Sequence, residues 1–434
     1  MPNAAEGIRL RPFSCTFLIR MVIRARCILP LADPPIENGA IVTDQGRIQW
    51  IGRWNECSVD VGNDVVDLGE VALTPGLINA HCHLDYTNMA GKIPPSRDFP
   101  DWVKTILSFK AHWSFSEYAE SWLRGARMLV NSGTTTVGDI EAVPELPPET
   151  WKATPLRLVS FFELTGVKSQ RDPDELLREA IQWRETLPNL PGKESGLSPH
   201  ALYSTTPELM RKSASLAREQ NILLTTHLAE SEAEFQMYRD AGGPFFDWLK
   251  GQRNMTDCGH RSPIQLAYEY GLLQPNLLSV HVNYLAPGDA DLLARAGSSV
   301  AHCPRSHDYF QHAPFPYAEL TKAGVNVCLG TDSLASSRKM QSQEPELNLW
   351  DEMRLFAQRH STVSPKQILS MVTINAARAL HKEDELGVLR LNFHADIAAL
   401  TYSGPVNEAR IYEELLYNGS VREVFIGAEQ VRTP

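Results

Sequence analysis

The chain has 434 residues, of which 43% are hydrophobic and 21% charged, so it can bury a large core and is not disordered as a whole. Its net charge of −11 repels phosphate backbones and argues against nucleic acid as a main partner. No apolar stretch approaches the ~18 residues of a membrane span, and seven cysteines are too few and odd in number for a disulfide framework, which makes a cytoplasmic location the simplest expectation.

The N-terminal residues 1–20 do not form a convincing export signal. Arginines interrupt the apolar residues between Ile8 and Ile28, whereas a secretory signal needs an unbroken apolar core of about 7–15 residues. We interpret this segment as an irregular extension, with Met21 as an alternative start. A targeting role stays open.

The two ends of the remaining chain, residues 21–72 and 385–434, have the pattern of β structure. Short apolar or alternating runs are separated there by Gly, Asp and Asn, and Asp44-Gln45-Gly46 suits a hairpin turn. We therefore predict a small β-sandwich domain that is built from both termini.

The middle of the chain, residues 73–384, contains eight short apolar runs with room for a helix between them. The runs are "ALTPGLINAH", "TTTVGDI", "LRLVSFFEL", "SGLSPHAL", "ILLTTHLAE", "LLSVHVNYL", "SSVAHCP" and "VNVCLGTDS". Helix start signals occur at Ser116, Thr206 and Pro287. Apolar strands that alternate with helices indicate parallel strands covered by helices, and eight such units predict an α/β (β/α)8 TIM barrel.

Polar side chains fall near the ends of these apolar runs. A barrel gathers the C-terminal ends of its strands around one mouth, where the active sites of such barrels lie. Residues distant in sequence are therefore expected to converge there. They are His81, His83, His200, His227, Glu230, His281 and Asp332.

His81 and His83 are spaced as two ligands of one metal ion. Side chains at positions i and i+2 of a strand point to the same side, so both imidazoles can reach a common ion. His227 and Asp332 would add ligands from across the mouth, and this set suits a divalent metal such as zinc or iron. Taken singly, His227 could be a hydrogen-bonded core histidine and Asp332 a helix N-cap; the joint pattern favours the metal site.

Three residues are candidates for the chemistry at this metal. Asp332 can accept a hydrogen bond from an attacking water, and Glu230 can carry a proton from the water to a ring nitrogen of the substrate. His281 can hydrogen-bond the attacking oxygen. The alternative for Glu230 is a surface carboxylate at a helix start.

The motifs resemble those of the amidohydrolase superfamily, in the branch of cytosine deaminase, guanine deaminase, S-adenosylhomocysteine deaminase and the triazine chlorohydrolases. The resemblance runs from about Met21 to about Val431. It rests on "TPGLINAHCHLD", "SPHALYSTTPEL", "TTHLAES", "VHVNYL", "AHCPRSH" and "LGTDSLAS", which follow the family's strand motifs in order.

The resemblance implies a metal-dependent aminohydrolase. It assigns His81, His83, His227 and Asp332 as ligands, and the absence of Lys or Glu at the fourth-strand motif implies one metal, zinc or less commonly iron. It favours deamination of an aminopurine-type heterocycle over chlorohydrolysis, with ammonia released. By family analogy a homodimer is expected. A barrel that has lost its metal and serves as a scaffold would show gaps in the ligand set, and this chain shows none.

The substrate is assigned from the same resemblance. "HCPRSHDYFQHAPFP" and "FFELTG" are most similar to sequences grouped with aminodeoxyfutalosine deaminase of the menaquinone route. Deaminases of S-adenosylhomocysteine, methylthioadenosine or adenosine, and of guanine, are the alternatives. Four residues are expected to contact the substrate, and for three of them a structural role is the alternative: a backbone-bonded buried histidine for His200, helix packing for Trp102 and a surface ion pair for Arg305. The four residues are His200, Trp102, Arg305 and Ser306.

Overall fold

The structure is a computed structural model that describes residues 20–58, 65–94, 96, 98–167, 171–338 and 344–431. Two sheets of eight strands each organise these residues. Nearly all of the predicted extension at 1–20 lies outside the described residues. Within the described segments, no helix combines the length and the apolar character needed to cross a bilayer.

One sheet is built from both ends of the chain, as predicted. Its strands are β1 (Met21–Ile28), β2 (Ile36–Asp44), β3 (Arg47–Arg53), β4 (Val65–Asp67), β5 (Val71–Pro75), β14 (Ile397–Thr401), β15 (Val421–Ile426) and β16 (Glu429–Gln430). β14 pairs antiparallel with β5 and so joins the C-terminal strands to the N-terminal ones. Hydrogen bonds connect these strands in one continuous order, in which β1 pairs with β2, β4 and β5.

The other sheet confirms the predicted (β/α)8 barrel. Its parallel strands are β6 (Leu77–Cys82), β7 (Thr134–Glu141), β8 (Arg157–Leu164), β9 (Lys193–Pro199), β10 (Leu224–Leu228), β11 (Leu277–His281), β12 (Ser299–His302) and β13 (Val327–Leu329). Each strand pairs with the next in chain order, and β13 meets β6 through the bridge between Cys82 and Asp332. Every predicted apolar run contributes a strand to this sheet.

The first apolar run contributes to both sheets. β5 belongs to the terminal sheet and β6 begins the barrel, with Gly76 between them. The chain thus passes from one sheet to the other at this turn. The division at residues 72/73 and 384/385 stays a prediction.

Helices cover the barrel between its strands. They are α1 (Phe99–Lys110), α2 (Phe115–Asn131), α3 (Pro147–Thr150), α4 (Pro173–Thr186), α5 (Pro207–Gln220), α6 (Glu232–Asp240), α7 (Gly243–Leu249), α8 (Pro263–Glu269), α9 (Asp289–Ala296), α10 (Pro304–Phe310), α11 (Tyr317–Ala323), α12 (Leu349–Arg359), α13 (Pro365–Met371), α14 (Ile374–Ala379) and α15 (Glu408–Asn418). The stretch between the fifth and sixth barrel strands holds α6, α7 and α8.

The predicted helix starts are close to the observed ones. Thr206 caps α5 through its side chain, as expected. α2 begins at Phe115, one residue before the predicted start at Ser116, and its N-cap is Ser114, which forms a capping box with Glu117. Pro287 precedes α9, whose C-cap is the left-handed Gly297.

The barrel interior is apolar below the mouth. Ile78, Val159 and Phe161 pack there against Ala376 and other residues around α14, which closes the opposite end. The C-terminal strand ends therefore form the open face of the barrel, where polar side chains can collect.

Candidate active site and metal centre

Three predicted ligands meet at the mouth where β6 and β13 close the barrel. Asp332 Oδ1 lies 3.7 Å from His81 Nε2 and 3.6 Å from His83 Nε2. His81, His83 and Asp332 are all buried. The spacing of the His-x-His pair places both rings on one side, with centroids 5.0 Å apart.

His227 approaches the same point from β10. Its Nε2 lies 3.4 Å from His83 Nε2. Its Nδ1 lies 3.0 Å from the carbonyl oxygen of His200 and is the natural donor to it. That hydrogen bond leaves the lone pair of Nε2 directed at the cluster, as in histidine ligands of metals.

The backbone at the end of β13 is shaped to deliver Asp332. The backbone N–H groups of Thr331 and Asp332 both donate to the carbonyl oxygen of His81, at 3.0 and 3.1 Å. Asp332 adopts a left-handed φ of 54°. Gly330 permits the close approach, because a Cβ there would stand 2.7 Å from the His81 carbonyl oxygen. Backbone strain of this kind is typical of functional sites.

The donor set fits a bound divalent metal. Ligands at 2.0–2.2 Å from one ion lie roughly 3–4 Å from each other. The distances of 3.7 and 3.6 Å from Asp332 to His81 and His83, and of 3.4 Å from His227 to His83, lie in that range. Both ring nitrogens of His81 and Nδ1 of His83 are buried with no hydrogen-bond partner among the described residues. Burial lowers the pKa of His83 and of His227 well below the usual range, so both imidazoles are in the neutral form that binds metals.

Asp332 is held as a carboxylate. Burial alone would raise its pKa, but its interaction with His81 and the nearby His281 and His83 lower that pKa well below the usual range. Ser336 donates a hydrogen bond to the other oxygen, Oδ2, at 3.2 Å. Oδ1 therefore remains available on the side of the histidines.

Glu230 and His281 stand side by side at the edge of this cluster. His281 Nε2 lies 3.5 Å from Glu230 Oε1, and both side chains are buried. Burial first, and then the charges of Asp332 and Glu234, raise the pKa of Glu230 well above its usual value. Burial lowers the pKa of His281 to about 3. Both pKa shifts thus favour the neutral form of the side chain, a carboxyl group for Glu230 and an imidazole for His281.

Two residues that sequence reasoning missed hold the Glu230 backbone. The backbone N–H of Glu230 donates to Glu234 Oε2 at 2.8 Å, and Asn283 Nδ2 donates to the Glu230 carbonyl at 2.9 Å. Ala229 takes a left-handed φ of 49° before it. The one sequence signal for this arrangement was the spacing of Glu234 from Ser231, which is the N-cap residue of α6.

His200 lies between the cluster and the cavity outside it. Its ring centroid is 4.7 Å from that of His227, and its Nδ1 lies 2.7 Å from Ser204 Oγ. Burial lowers its pKa, although the charge of Glu163 opposes that shift. It lines the cavity, as a substrate-contacting residue must, and its role stays a prediction.

A cavity opens directly above the histidine–aspartate cluster. Its inner wall contains His83, His200, His227, Glu230, His281 and Asp332. Its outer wall contains Tyr86, Phe99, Trp102, Val103, Ile106, Leu107, Lys110, Glu163, Tyr203, Trp248 and Gln252. α1 covers the mouth, and Trp102 both lines the cavity and stacks on Phe99, with centroids 5.9 Å apart.

The structure does not bring Arg305 and Ser306 to this cavity. Arg305 Nε donates to the buried carboxylate of Glu352 at 2.6 Å, and its Nη2 donates to the carbonyl oxygen of Glu346. Both residues are absent from the cavity wall. This corrects the prediction that Arg305 pairs with a carboxylate of the substrate, because its carboxylate partner is Glu352 of α12.

Two charged side chains of the cavity, Lys110 and Glu163, were not among the predicted site residues. Both are partly buried. The Lys110 ammonium donates to the Tyr86 hydroxyl and stands 4.5 Å from the centre of the Tyr86 ring. Each follows an apolar sequence pattern, "WVKTILSFK" or "VSFFELTG", in which periodicity alone does not distinguish a surface charge from a cavity-lining one.

Comparison with known proteins identifies the family. The sequence model of the amidohydrolase family matches residues 72–431. The chain belongs to the amidohydrolase family. The resemblance stated from the strand motifs is thereby confirmed.

Curated relatives of similar length carry deaminase names. The chain is 28% identical over 402 residues to the 5-methylthioadenosine/S-adenosylhomocysteine deaminase of Nitratidesulfovibrio vulgaris, which covers 89% of this chain and 84% of that protein. The enzyme of the same name from Symbiobacterium thermophilum is 26% identical, covering 89% and 86%.

Solved structures share the fold over nearly the whole chain. The aminofutalosine deaminase of Helicobacter pylori in complex with methylthio-coformycin has a TM-score of 0.83 at 19% identity, with 95% of this chain and 100% of that one covered. An adenosine deaminase of Xanthomonas campestris with bound zinc has a TM-score of 0.81 at 21% identity, covering 95% and 92%.

Proposed function

We propose that this amidohydrolase removes the amino group of an adenine nucleoside by hydrolysis and uses one divalent metal ion. Zinc is the preferred candidate for this ion, and iron is the alternative. The observation that carries the proposal is the pairing of Glu230 Oε1 with His281 Nε2, 3.5 Å apart, in the same cavity as the histidine–aspartate cluster. The names of the curated relatives support the substrate class.

The chain's own residues divide the chemistry between them. A divalent metal held by His81, His83, His227 and Asp332 would supply a Lewis acid that makes a water acidic near neutral pH. Asp332, as an ionised carboxylate, accepts a proton from the attacking water. The cluster and the cavity meet at that point, so the water and the purine ring share one space.

Glu230 and His281 act on the purine. Glu230 donates its proton to the ring nitrogen beside the amino-bearing carbon and so makes that carbon electrophilic. His281, which is neutral, hydrogen-bonds the oxygen that adds to this carbon. Asp332 then returns the proton it took from the water to the amino group, which leaves as ammonia. The hydroxyl that was added loses its proton to Glu230, so that a carbonyl remains and Glu230 regains its proton.

We propose 6-amino-6-deoxyfutalosine as the preferred substrate. The outer wall presents the aromatic side chains of Phe99, Trp102 and Trp248, which suit a flat aryl tail. Lys110 is the cation on this wall, and no carboxylate of the described residues pairs with it within 4.0 Å. It could meet the carboxylate of such a tail, in place of the Arg305 first considered.

The second candidate is S-adenosylhomocysteine or methylthioadenosine, and the curated relatives favour it. S-adenosylhomocysteine also has a carboxylate that Lys110 could meet, whereas methylthioadenosine has none. Guanine deamination, triazine dechlorination and a metal-free scaffold role are less consistent with the cavity and the complete donor set. In each enzymatic case we propose a small-molecule substrate and a cytoplasmic enzyme that acts as a homodimer.

Ammonia release from a substrate panel tests the proposal. The zinc-loaded protein is assayed with 6-amino-6-deoxyfutalosine, S-adenosylhomocysteine, methylthioadenosine, adenosine, guanine and a chlorotriazine. We expect the highest kcat/KM with the first, and a Lys110→Met variant should lose more of kcat/KM with carboxylate-bearing substrates than with methylthioadenosine. A preference for methylthioadenosine would replace the substrate assignment. Turnover of guanine or the triazine alone would overturn the nucleoside proposal.

A further inference from the structure

Glu163 is a charged residue of the cavity to which the proposed chemistry assigns no role. It lies near the C-terminal end of β8, two residues after Phe161, which packs inside the barrel. Because side chains at i and i+2 share one side of a strand, Glu163 opens onto the mouth above Phe161. It lines the same cavity as the histidine–aspartate cluster.

Its neighbours place it beyond the catalytic groups rather than among them. The next strand pairs Ser198 with Glu163, and the backbone N–H of His200 donates to the carbonyl oxygen of Leu164 at 3.0 Å. Glu163 therefore stands one strand further around the mouth than His200. Its charge acts on His200 on one side and raises the pKa of Tyr86 on the other, after burial and Asp85.

Glu163 has no protein donor in this position. Over the described residues, no side-chain or backbone N–H or O–H donates to its carboxylate, and no cation lies within 4.0 Å of it. Its side chain is partly buried in a cavity whose outer wall is largely apolar. The carboxylate is therefore open to the cavity without a protein partner, and a substrate that fills the cavity displaces water from it and has to supply donors in exchange.

We propose that Glu163 binds the vicinal 2′ and 3′ hydroxyls of a ribose, which makes this site specific for ribonucleosides over free bases. Glu230, His281 and Asp332 already serve the reactive end of the base, so a second acceptor belongs to another part of the ligand. Adjacent hydroxyls offer two donors that one carboxylate accepts together, and acidic side chains bind ribose hydroxyls in this manner in dinucleotide-binding folds. This inference rests on the proposed nucleoside deaminase function.

A substrate pair with and without the diol tests the proposal. The adenine nucleoside that the wild type deaminates fastest is compared with its 2′,3′-dideoxy analogue. We expect the wild type to prefer the diol by on the order of 100-fold in kcat/KM, as two hydrogen bonds to a charged group allow. Glu163→Gln should reduce this preference to below about 10-fold, mainly through KM, and leave turnover of the dideoxy substrate nearly unchanged.

Two further variants separate recognition from folding. Glu163→Asp, which keeps the charge but withdraws it by one methylene, should also weaken the preference. Glu149→Gln alters an exposed carboxylate of α3 and should leave both substrates unaffected. Metal content and thermal midpoint are measured for each variant, so that a folding defect is recognised as such.

The outcomes distinguish this inference from the function on which it rests. An equal loss with both substrates in Glu163→Gln and Glu163→Asp, at normal metal content, would overturn the ribose contact. A loss confined to substrates with a cationic amine in the tail would overturn it too and would assign Glu163 to that amine. If the wild type deaminates free bases but no nucleoside, the proposed function itself fails.

Discussion

The barrel mouth and the junction between the barrel and the terminal sheet both bury charged side chains. They differ in whether the buried polar atoms have hydrogen-bond partners within the protein. At the junction, Arg157 donates twice to Asp396, at 2.7 and 3.0 Å, and the backbone of Gly427 donates to the same carboxylate. At the mouth, both ring nitrogens of His81 lack a partner among the described residues, and Asp332 has a left-handed backbone. The polar groups of the junction are satisfied by the protein, whereas the mouth presents buried donor atoms that have no partner among the described residues.

The largest expected effects come from removing one ligand or one proton-carrying group at the mouth. His227→Ala should abolish both metal retention and turnover, because it removes one of the four donors. The donor that it removes, His227 Nε2, lies 3.4 Å from His83 Nε2 in the wild type. Glu230→Gln should retain about one metal per chain and lose about 10²–10⁴-fold in kcat, since an amide cannot donate the proton. Metal analysis and ammonia release measure the two properties separately.

Chelation provides the matched control for this pair. Wild-type turnover should disappear on removal of the metal and return with added zinc. Glu230→Gln should bind zinc but not recover. Near-wild-type turnover by Glu230→Gln would remove Glu230 from the proton transfer, and full activity of the metal-free protein would remove the metal from the reaction.

At the junction, a substitution should reduce stability without changing the chemistry. Asp396→Asn leaves the guanidinium of Arg157, whose side chain is 15% exposed, without its counter-charge, which costs about 3 kcal/mol in the free energy of unfolding. Asp67→Asn breaks an ion pair with Arg24 in which the Asp67 side chain is 48% exposed, and should cost less than about 1 kcal/mol. Urea unfolding measures both.

The kinetic constants of Asp396→Asn complete that comparison. Arg157 begins β8, at the end of the barrel opposite the mouth, so kcat and KM of the folded enzyme should stay unchanged. A drop in kcat as large as that of Glu230→Gln would mean that the two regions are coupled. Equal destabilisation by Asp396→Asn and Asp67→Asn would mean that burial does not decide the cost.

The strands and the convergence of His81, His83, His227 and Asp332 were predictable because they depend on local patterns, and their role as metal ligands stays a prediction. The apolar run before His81 sets the strand, and the strand period sets the shared direction of His81 and His83. Asp332 was also predictable, since it follows an apolar run and the barrel topology brings that run beside β6. The order of the strands thus determined which distant residues could meet.

Residues whose role depends on a partner elsewhere were not predictable in the same way. Arg305 follows β12 like a site residue, but a carboxylate 47 positions later in α12 pairs with it. Glu163 and Lys110 lie in apolar patterns that do not indicate which face lines a cavity. The strand order in the terminal domain was not predicted either, because the pairing of β1 with three strands depends on long-range contacts rather than on strand propensity.

The smallest predicted effect concerns pH at the closed end of the barrel. Burial, and then the charge of Arg157, lowers the pKa of Lys193 to about 7, while its ammonium group donates to the carbonyl oxygens of Thr154 and Leu156. Between about pH 7 and the ordinary lysine pKa of about 10.4, the unfolded chain binds a proton that the folded chain lacks. The contribution of Lys193 to the free energy of unfolding therefore rises with pH across that window, and this contribution is lower below about pH 7.

Lys193→Met should remove that rise. From pH 7 to pH 9, the free energy of unfolding of the wild type should gain about 1–2 kcal/mol relative to the variant. Lys152→Met, which changes a lysine whose side chain is 53% exposed, is the control and should track the wild type. Urea unfolding at the two pH values measures the difference. If the free energy of unfolding of Lys193→Met and of the wild type changes in parallel between the two pH values, Lys193 has an ordinary pKa. The closed end of the barrel then holds a charged ammonium group, as the junction holds the ion pair of Arg157 and Asp396.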